Sequence, residues 1–166
     1  MAEVLFWEFL SYFGDLTFWL GVATGSLLVY SFLPKRARHY LHWVLFGVLP
    51  AVVISYTVTL GLKLLFQIPR PCSGLLCPTD YSFPSGHATV IFAAMTLLFF
   101  VTKDRKAKVV YLVFASLVGL SRFFLGLHRI EDVIVGALIG IAVGYITYHN
   151  HRDILHFAHQ IKFPKR

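Results

Sequence analysis

Residues 43–66 read WVLFGVLPAVVISYTVTLGLKLLF, a run of 24 positions in which Lys63 is the only charged side chain. As an α-helix such a run rises about 36 Å, enough to cross a hydrocarbon core of roughly 30 Å, and a helix satisfies its own backbone hydrogen bonds in lipid. Four further apolar stretches resemble it in composition: Leu16 to Leu33, Pro84 to Val101, Val109 to Phe124 and Val133 to Tyr148. The whole chain of 166 residues is 57% hydrophobic and 14% charged, with a mean hydropathy of +0.70, which excludes an ordinary soluble domain. Sparse charge, and 12 Gly and 7 Pro that follow no short repeat, exclude a disordered or collagen-like chain. The expected fold is all-α: one polytopic membrane bundle over residues 1–166, with about five transmembrane helices. Ahead of the first span, Val4, Leu5, Phe6, Trp7, Phe9, Leu10 and Phe13 read as an N-terminal interfacial helix. The other reading of that segment is an extended first span.

The net charge of +7 takes its meaning from where the charges fall. With five crossings, Lys35, Arg36, Arg38, Lys103, Arg105, Lys106, Lys108, Arg152, Lys162, Lys165 and Arg166 share one face with Asp104 and Asp153, a net of +9. The opposite face carries Lys63, Arg70, Arg122 and Arg129 against Glu3, Glu8, Asp15, Asp80, Glu131 and Asp132, a net of −2. The positive-inside rule then places the N-terminus outside the cell membrane and the C-terminus in the cytoplasm. The basic excess is a topology signal with anionic lipid heads as its second partner, and nucleic acid is not needed to explain it. Glu3, Glu8 and Asp15 stand where a signal peptide would be basic, so the chain is expected to keep its own N-terminus.

The longest irregular segment, Gln67 to Phe83, falls on the outer face, and ionisable residues gather around it at helix ends. Taken singly, each has an ordinary explanation: Lys63 as a snorkelling lysine, Arg70 and Arg122 as lipid-head anchors, His87 as an interfacial histidine. Together they make a pattern. His128 and Asp132 are four apart, so at the start of a helix they share a face, and the carboxylate fixes one imidazole nitrogen while the other stays free to attack. Pro84, Ser85, Gly86 and His87 read as a helix start, whose free N–H groups favour an anion. Three cations, a helix N-terminus and two histidines suit a phosphate.

Lys63, Arg70 and Pro71, then Pro84, Ser85, Gly86 and His87, then Ser121, Arg122, His128 and Asp132 resemble the three-part signature of the type-2 phosphatidic acid phosphatase family, shared with vanadium haloperoxidases and bacterial acid phosphatases. Five spans point to the membrane-bound branch, whose members commonly have six. The resemblance implies that His128 attacks phosphorus to form a phosphohistidine, that Asp132 orients it, and that His87 protonates the leaving oxygen and then activates water. It implies that Lys63, Arg70, Arg122, Ser85 and the Gly86 amide hold the phosphate oxygens, with Ser121, Pro71 and Pro84 supporting. No metal and no cofactor are called for. The substrate expected is a membrane lipid phosphate or diphosphate, led by a polyprenyl diphosphate of the undecaprenyl type, with phosphatidylglycerophosphate and phosphatidate as rivals. A lipid transporter or scramblase explains the cations but not the histidines, and a lipid phosphotransferase differs only in excluding water. Cys72 and Cys77, in the outer loop, form either a disulfide or two free thiols. His149, His151, His156 and His159 read as a solvated tail lacking the acidic or cysteine partners of a metal site.

Overall fold

The computed structural model describes residues 2–34, 38, 41–72 and 77–150; most of the basic loop around Lys35 and Arg36, and the histidines and cations from residue 151 onward, lie outside them. Six helices make up the described chain: α1 (Ala2–Tyr12), α2 (Leu16–Val29), α3 (Leu41–Phe66), α4 (Gly86–Val101), α5 (Arg105–Phe124) and α6 (Ile130–His149). No strand occurs among the described residues. The two readings of the N-terminal segment meet in the structure. α1 and α2 are separate helices bent by 53° at a short break, and together they are apolar enough to count as one broken span. Asp15 ends the break by capping α2 through the Thr17 N–H at 2.8 Å.

α3, α5 and α6 are each long and apolar enough to cross a bilayer. α4, expected as a full span, has 16 residues, about 24 Å of helix, and is shorter than an ordinary crossing. Its composition explains the exception. Ala88, Thr89, Val90, Ile91, Ala93, Ala94, Met95 and Leu97 are all buried, so α4 is the central post of the bundle, sheathed by its neighbours. Leu64, Leu65, Val109, Val110, Leu112, Val113, Ile134, Leu138 and Ile146 are exposed on the surrounding helices, as a lipid-facing surface requires. Pro50 lies inside α3, where its missing N–H and its ring disturb the preceding turn. The helix accommodates it by widening into a π turn over Val44–Val48.

α6 meets α4 through Gly136, Gly140 and Gly144, a spacing of four that puts all three on one face. A Cβ on Gly136 would come within 2.6 Å of the Ser85 carbonyl oxygen, and one on Gly144 within 2.5 Å of the Ala93 carbonyl oxygen. At Gly140 a Cβ would strike the Thr89 carbonyl and lie 2.8 Å from the Phe92 Cβ. The two backbones are therefore in contact along the whole seam. Gly61 on α3, by contrast, has nothing within 4 Å. Gly140→Ala is expected to lower stability in detergent by about 1–3 kcal/mol, the usual cost of overpacking. Gly61→Ala should stay within about 1 kcal/mol of the parent, so thermal unfolding of the pair checks the seam.

Candidate active site

The C-terminal ends of α3 and α5, the N-terminal ends of α4 and α6, and the α1–α2 break converge on one end of the bundle around a cavity of about 350 Å³. Lys63, Arg70, Gly86, His87, Arg122 and His128 all line it, although they are spread over 66 positions of sequence. Lys63 does not snorkel outward. It is buried, and its Nζ donates to Asp80 Oδ2 at 2.7 Å and to the Tyr81 carbonyl. Arg70 reaches the same carboxylate, with Nη2 2.6 Å and Nε 3.0 Å from Asp80 Oδ1. Burial pulls the Asp80 carboxyl upward, but hydrogen bonds from Lys63 and Arg70 outweigh it and hold the group below its ordinary range.

The remaining amine of Arg70 settles the state of His128. Nη1 lies 3.0 Å from His128 Nε2 and donates to the Leu127 carbonyl at 3.0 Å. A guanidinium has no acceptor, so the Nε2 lone pair accepts from Nη1 and the ring proton is assigned to Nδ1. Nδ1 faces Asp132 Oδ2 at 3.5 Å and the Ser82 hydroxyl at 3.4 Å, and Ser82 in turn donates to that carboxylate oxygen. The same Asp132 oxygen accepts the Arg129 N–H at 2.9 Å, so one carboxylate both caps α6 and orients the ring. His128 is buried, and burial together with the charges of Arg70, Arg122 and Lys63 pushes its imidazole down to about 2. The turn that delivers it is closed by Gly126, at φ 68°, and by the Leu127 and His128 N–H groups on the Arg122 carbonyl, both at 3.2 Å.

Arg122 extends from the end of α5 into the cavity wall, where Nη1 donates to Ser11 of α1. Its Nε is a buried donor without a hydrogen-bond partner among the described residues, an arrangement suited to an incoming oxygen. His87 stands in the first turn of α4, beside Asp15.

Not every residue expected at the site lines it. Ser85 is fully buried with its hydroxyl turned to cap α4 at Ala88 N, 3.5 Å away, while its own N–H donates to the Asp132 carbonyl at 3.0 Å. Ser121 bonds the Val118 carbonyl of its own helix at 2.6 Å. Pro84 is buried behind the cavity, and Pro71 is exposed beside Arg70. Cys72 and Cys77 are disulfide-bonded, with Cα atoms 5.7 Å apart. Asp80, Ser82 and Asp15 are the functional-looking groups that sequence reasoning missed. Asp80 entered only as a unit of surface charge, and no spacing rule links Ser82 to a carboxylate fifty residues away.

A family model described as the PAP2 superfamily matches residues 43–155. The chain is 39% identical over 71 residues to an undecaprenyl-diphosphatase of Sulfolobus acidocaldarius, an alignment covering 42% of this chain and 34% of that protein. It is 32% identical over 144 residues to the decaprenylphosphoryl-5-phosphoribose phosphatase of Mycobacterium tuberculosis, covering 83% and 75%. The crystal structure of a PAP2-type phosphatidylglycerolphosphate phosphatase from Bacillus subtilis superposes with a TM-score of 0.72 at 21% identity, over 99% of this chain and 80% of that one, a likeness of fold. The chain spans 34% to 58% of the lengths of the first curated relatives it matches. With the family match extending over two thirds of its residues and the helical bundle in agreement, the chain belongs to the PAP2 superfamily.

Proposed function

We propose that this protein is an integral-membrane lipid phosphatase that works through a phosphohistidine. The observation that carries the reading is His128 Nε2, held 3.0 Å from Arg70 Nη1 at a cavity that His87 also lines. His128 attacks phosphorus, the P–O bond to the lipid breaks, and His87 gives its proton to the departing oxygen. The neutral His87 then accepts a proton from water as that water attacks phosphorus, the P–N bond breaks, and inorganic phosphate leaves with His128 restored. Lys63, Arg70, Arg122 and the Gly86 amide at the start of α4 gather the oxygens on which charge develops, and Asp132 with Ser82 stabilises the imidazole as it becomes positive. An entering phosphate takes over the donors that Asp80 engages. Three side-chain cations supply the electrostatics, so the reaction needs no metal.

Exposed Tyr56 and Leu60 line the cavity on the α3 side, which suits a substrate whose tail stays in lipid while its head enters. The leading substrate is a polyprenyl diphosphate of the undecaprenyl type, a choice supported by the polyprenyl names of the Sulfolobus and Mycobacterium relatives. The site and the N-terminus face outside the cell membrane and the C-terminus the cytoplasm, by the distribution of basic residues.

Phosphate release in detergent from polyprenyl diphosphate, phosphatidylglycerophosphate, phosphatidate and a sphingoid phosphate tests the assignment, with EDTA in a parallel series. Turnover is expected to be highest on the polyprenyl diphosphate and unchanged by EDTA. Lipid movement without phosphate release would identify a transporter, and transfer to a hydroxyl acceptor a phosphotransferase.

His128→Ala should reduce phosphate release at least about a thousandfold and abolish acid-labile, base-stable phosphate on the protein during turnover. A folded variant with appreciable activity would remove His128 from the nucleophile's place.

The acidity of His128 gives a further expectation. Its attacking form is neutral, and an unperturbed histidine would lose that form below about pH 6.5. Because its pKa is depressed to about 2, the neutral form persists through mild acid. After allowance for the substrate's own ionisation, kcat/KM should show no limb near 6.5 between pH 8 and 5. Activity that falls toward acid with a midpoint near 6.5 would contradict the depressed value.

A further inference from the structure

The break between α1 and α2 brings to the cavity a carboxylate that phosphate binding and nucleophilic attack leave unexplained. Asp15 Oδ1 accepts from both the Thr17 N–H and the Thr17 hydroxyl, each at 2.8 Å. Oδ2 is turned the other way and lies 3.9 Å from His87 Nε2. The backbone fixes this approach, because a Cβ on Gly14 would come within 2.8 Å of the His87 Cβ. Both Asp15 and His87 line the cavity. Set against a positive charge on the ring are first its burial and then Arg122 from α5, Arg70 from the loop and Lys63 from α3, while His128 stands among its titratable neighbours. A carboxylate about 4 Å from an imidazole favours the protonated ring, and here it opposes three cations that disfavour it.

We propose that Asp15 is a positioning residue for proton delivery: its carboxylate favours the protonated His87 ring and helps turn it for transfer to the leaving lipid oxygen. The proposal rests on the reading of His87 as the proton donor. As the N–P bond forms at His128, the electron pair of the breaking P–O bond goes to the lipid oxygen, and the His87 proton follows it. Asp15 stays ionised throughout. At 3.9 Å the effect is one of charge and not of a hydrogen bond, so removing the charge alone removes the effect.

Asp15→Asn makes that change while leaving a good helix cap for α2. Two substrates separate proton delivery from structural damage: dioleoyl phosphatidate in detergent micelles, whose alkoxide must be protonated to leave, and p-nitrophenyl phosphate, whose nitrophenolate leaves without help. The expected result is a kcat for phosphatidate lowered about tenfold, as for one pKa unit, with KM nearly unchanged and p-nitrophenyl phosphate turnover altered less than about threefold. Equal losses on both substrates, or no loss on phosphatidate, would overturn the role of Asp15. His87→Ala tests the reading beneath it in a single turnover, read as the rate at which diacylglycerol or nitrophenolate is released, because His87 also activates water in the later step that both substrates share. If that variant loses phosphatidate turnover selectively and Asp15→Asn does not, only the Asp15 proposal fails. If release of both leaving groups slows equally in that single turnover, the proton-donor reading itself fails.

Discussion

The contact between the backbones of α4 and α6 sets the geometry of everything else in this bundle. Three glycines of α6 lie where a methyl group would strike the carbonyls of Ser85, Thr89 and Ala93. Lipid offers no hydrophobic incentive for helices to associate, so close van der Waals approach over small residues has to supply it. The first of these contacts falls at the site itself. Gly136 touches the Ser85 carbonyl, and the Ser85 N–H donates to the Asp132 carbonyl at 3.0 Å. The N-terminal turns of the two helices are thereby tied together, one carrying His87 and the other preceded by His128. A side chain between them would separate the two imidazoles by moving whole helices, not by moving a loop.

On this frame two of the three cations around the cavity are paired with a carboxylate. Lys63 and Arg70 share Asp80, and Arg122 is held by the Ser11 hydroxyl while its Nε stays unmet. An isolated ammonium or guanidinium in so apolar a setting costs several kcal/mol, which explains why the cavity carries carboxylates as well as cations. Asp80 stands on the segment between α3 and α4, and Ser82 N–H bonds the Ile68 carbonyl at 2.7 Å across the same segment. With the Cys72–Cys77 bridge, these contacts hold Arg70 at the rim, so that one guanidinium meets both Asp80 and the lone pair of His128.

How far the sequence could be read follows from the range of the forces involved. Residues whose meaning lies in local spacing were legible: His128 and Asp132 four positions apart across the start of α6, Ser85 as a cap, Lys63 and Arg70 near the end of a long apolar run. Ser85 and Ser121 were legible as part of a pattern, but the structure spends their hydroxyls inside their own helices. Ser82, Asp80 and Asp15 act across 17 to 72 positions of sequence, and nothing local marks them. The glycine seam had a local signal, the repeat at every fourth residue of Gly136, Gly140 and Gly144, which an apolarity count treats merely as greasy. The same count overstates α4, because a helix enclosed by other helices is as apolar as one facing lipid and has no need to span the full thickness.

The N-terminal segment shows why a bent pair of helices differs from a straight span of the same residues. α1 lies against α5, with the Trp7 and Phe124 rings stacked at 4.4 Å and Ser11 on Arg122, while α2 leans on the core through Trp19. A straight helix could not do both, since a direction that follows α5 carries it away from the core. The break at Gly14 and Asp15 resolves the conflict, and the Trp19 indole N–H secures it by donating to the Phe13 carbonyl at 3.0 Å. Its position is therefore dictated by packing on both sides. That same position sets a backbone without a side chain against His87 and a carboxylate beside its ring, so the turn that lets the N-terminal segment pack also completes the wall of the cavity.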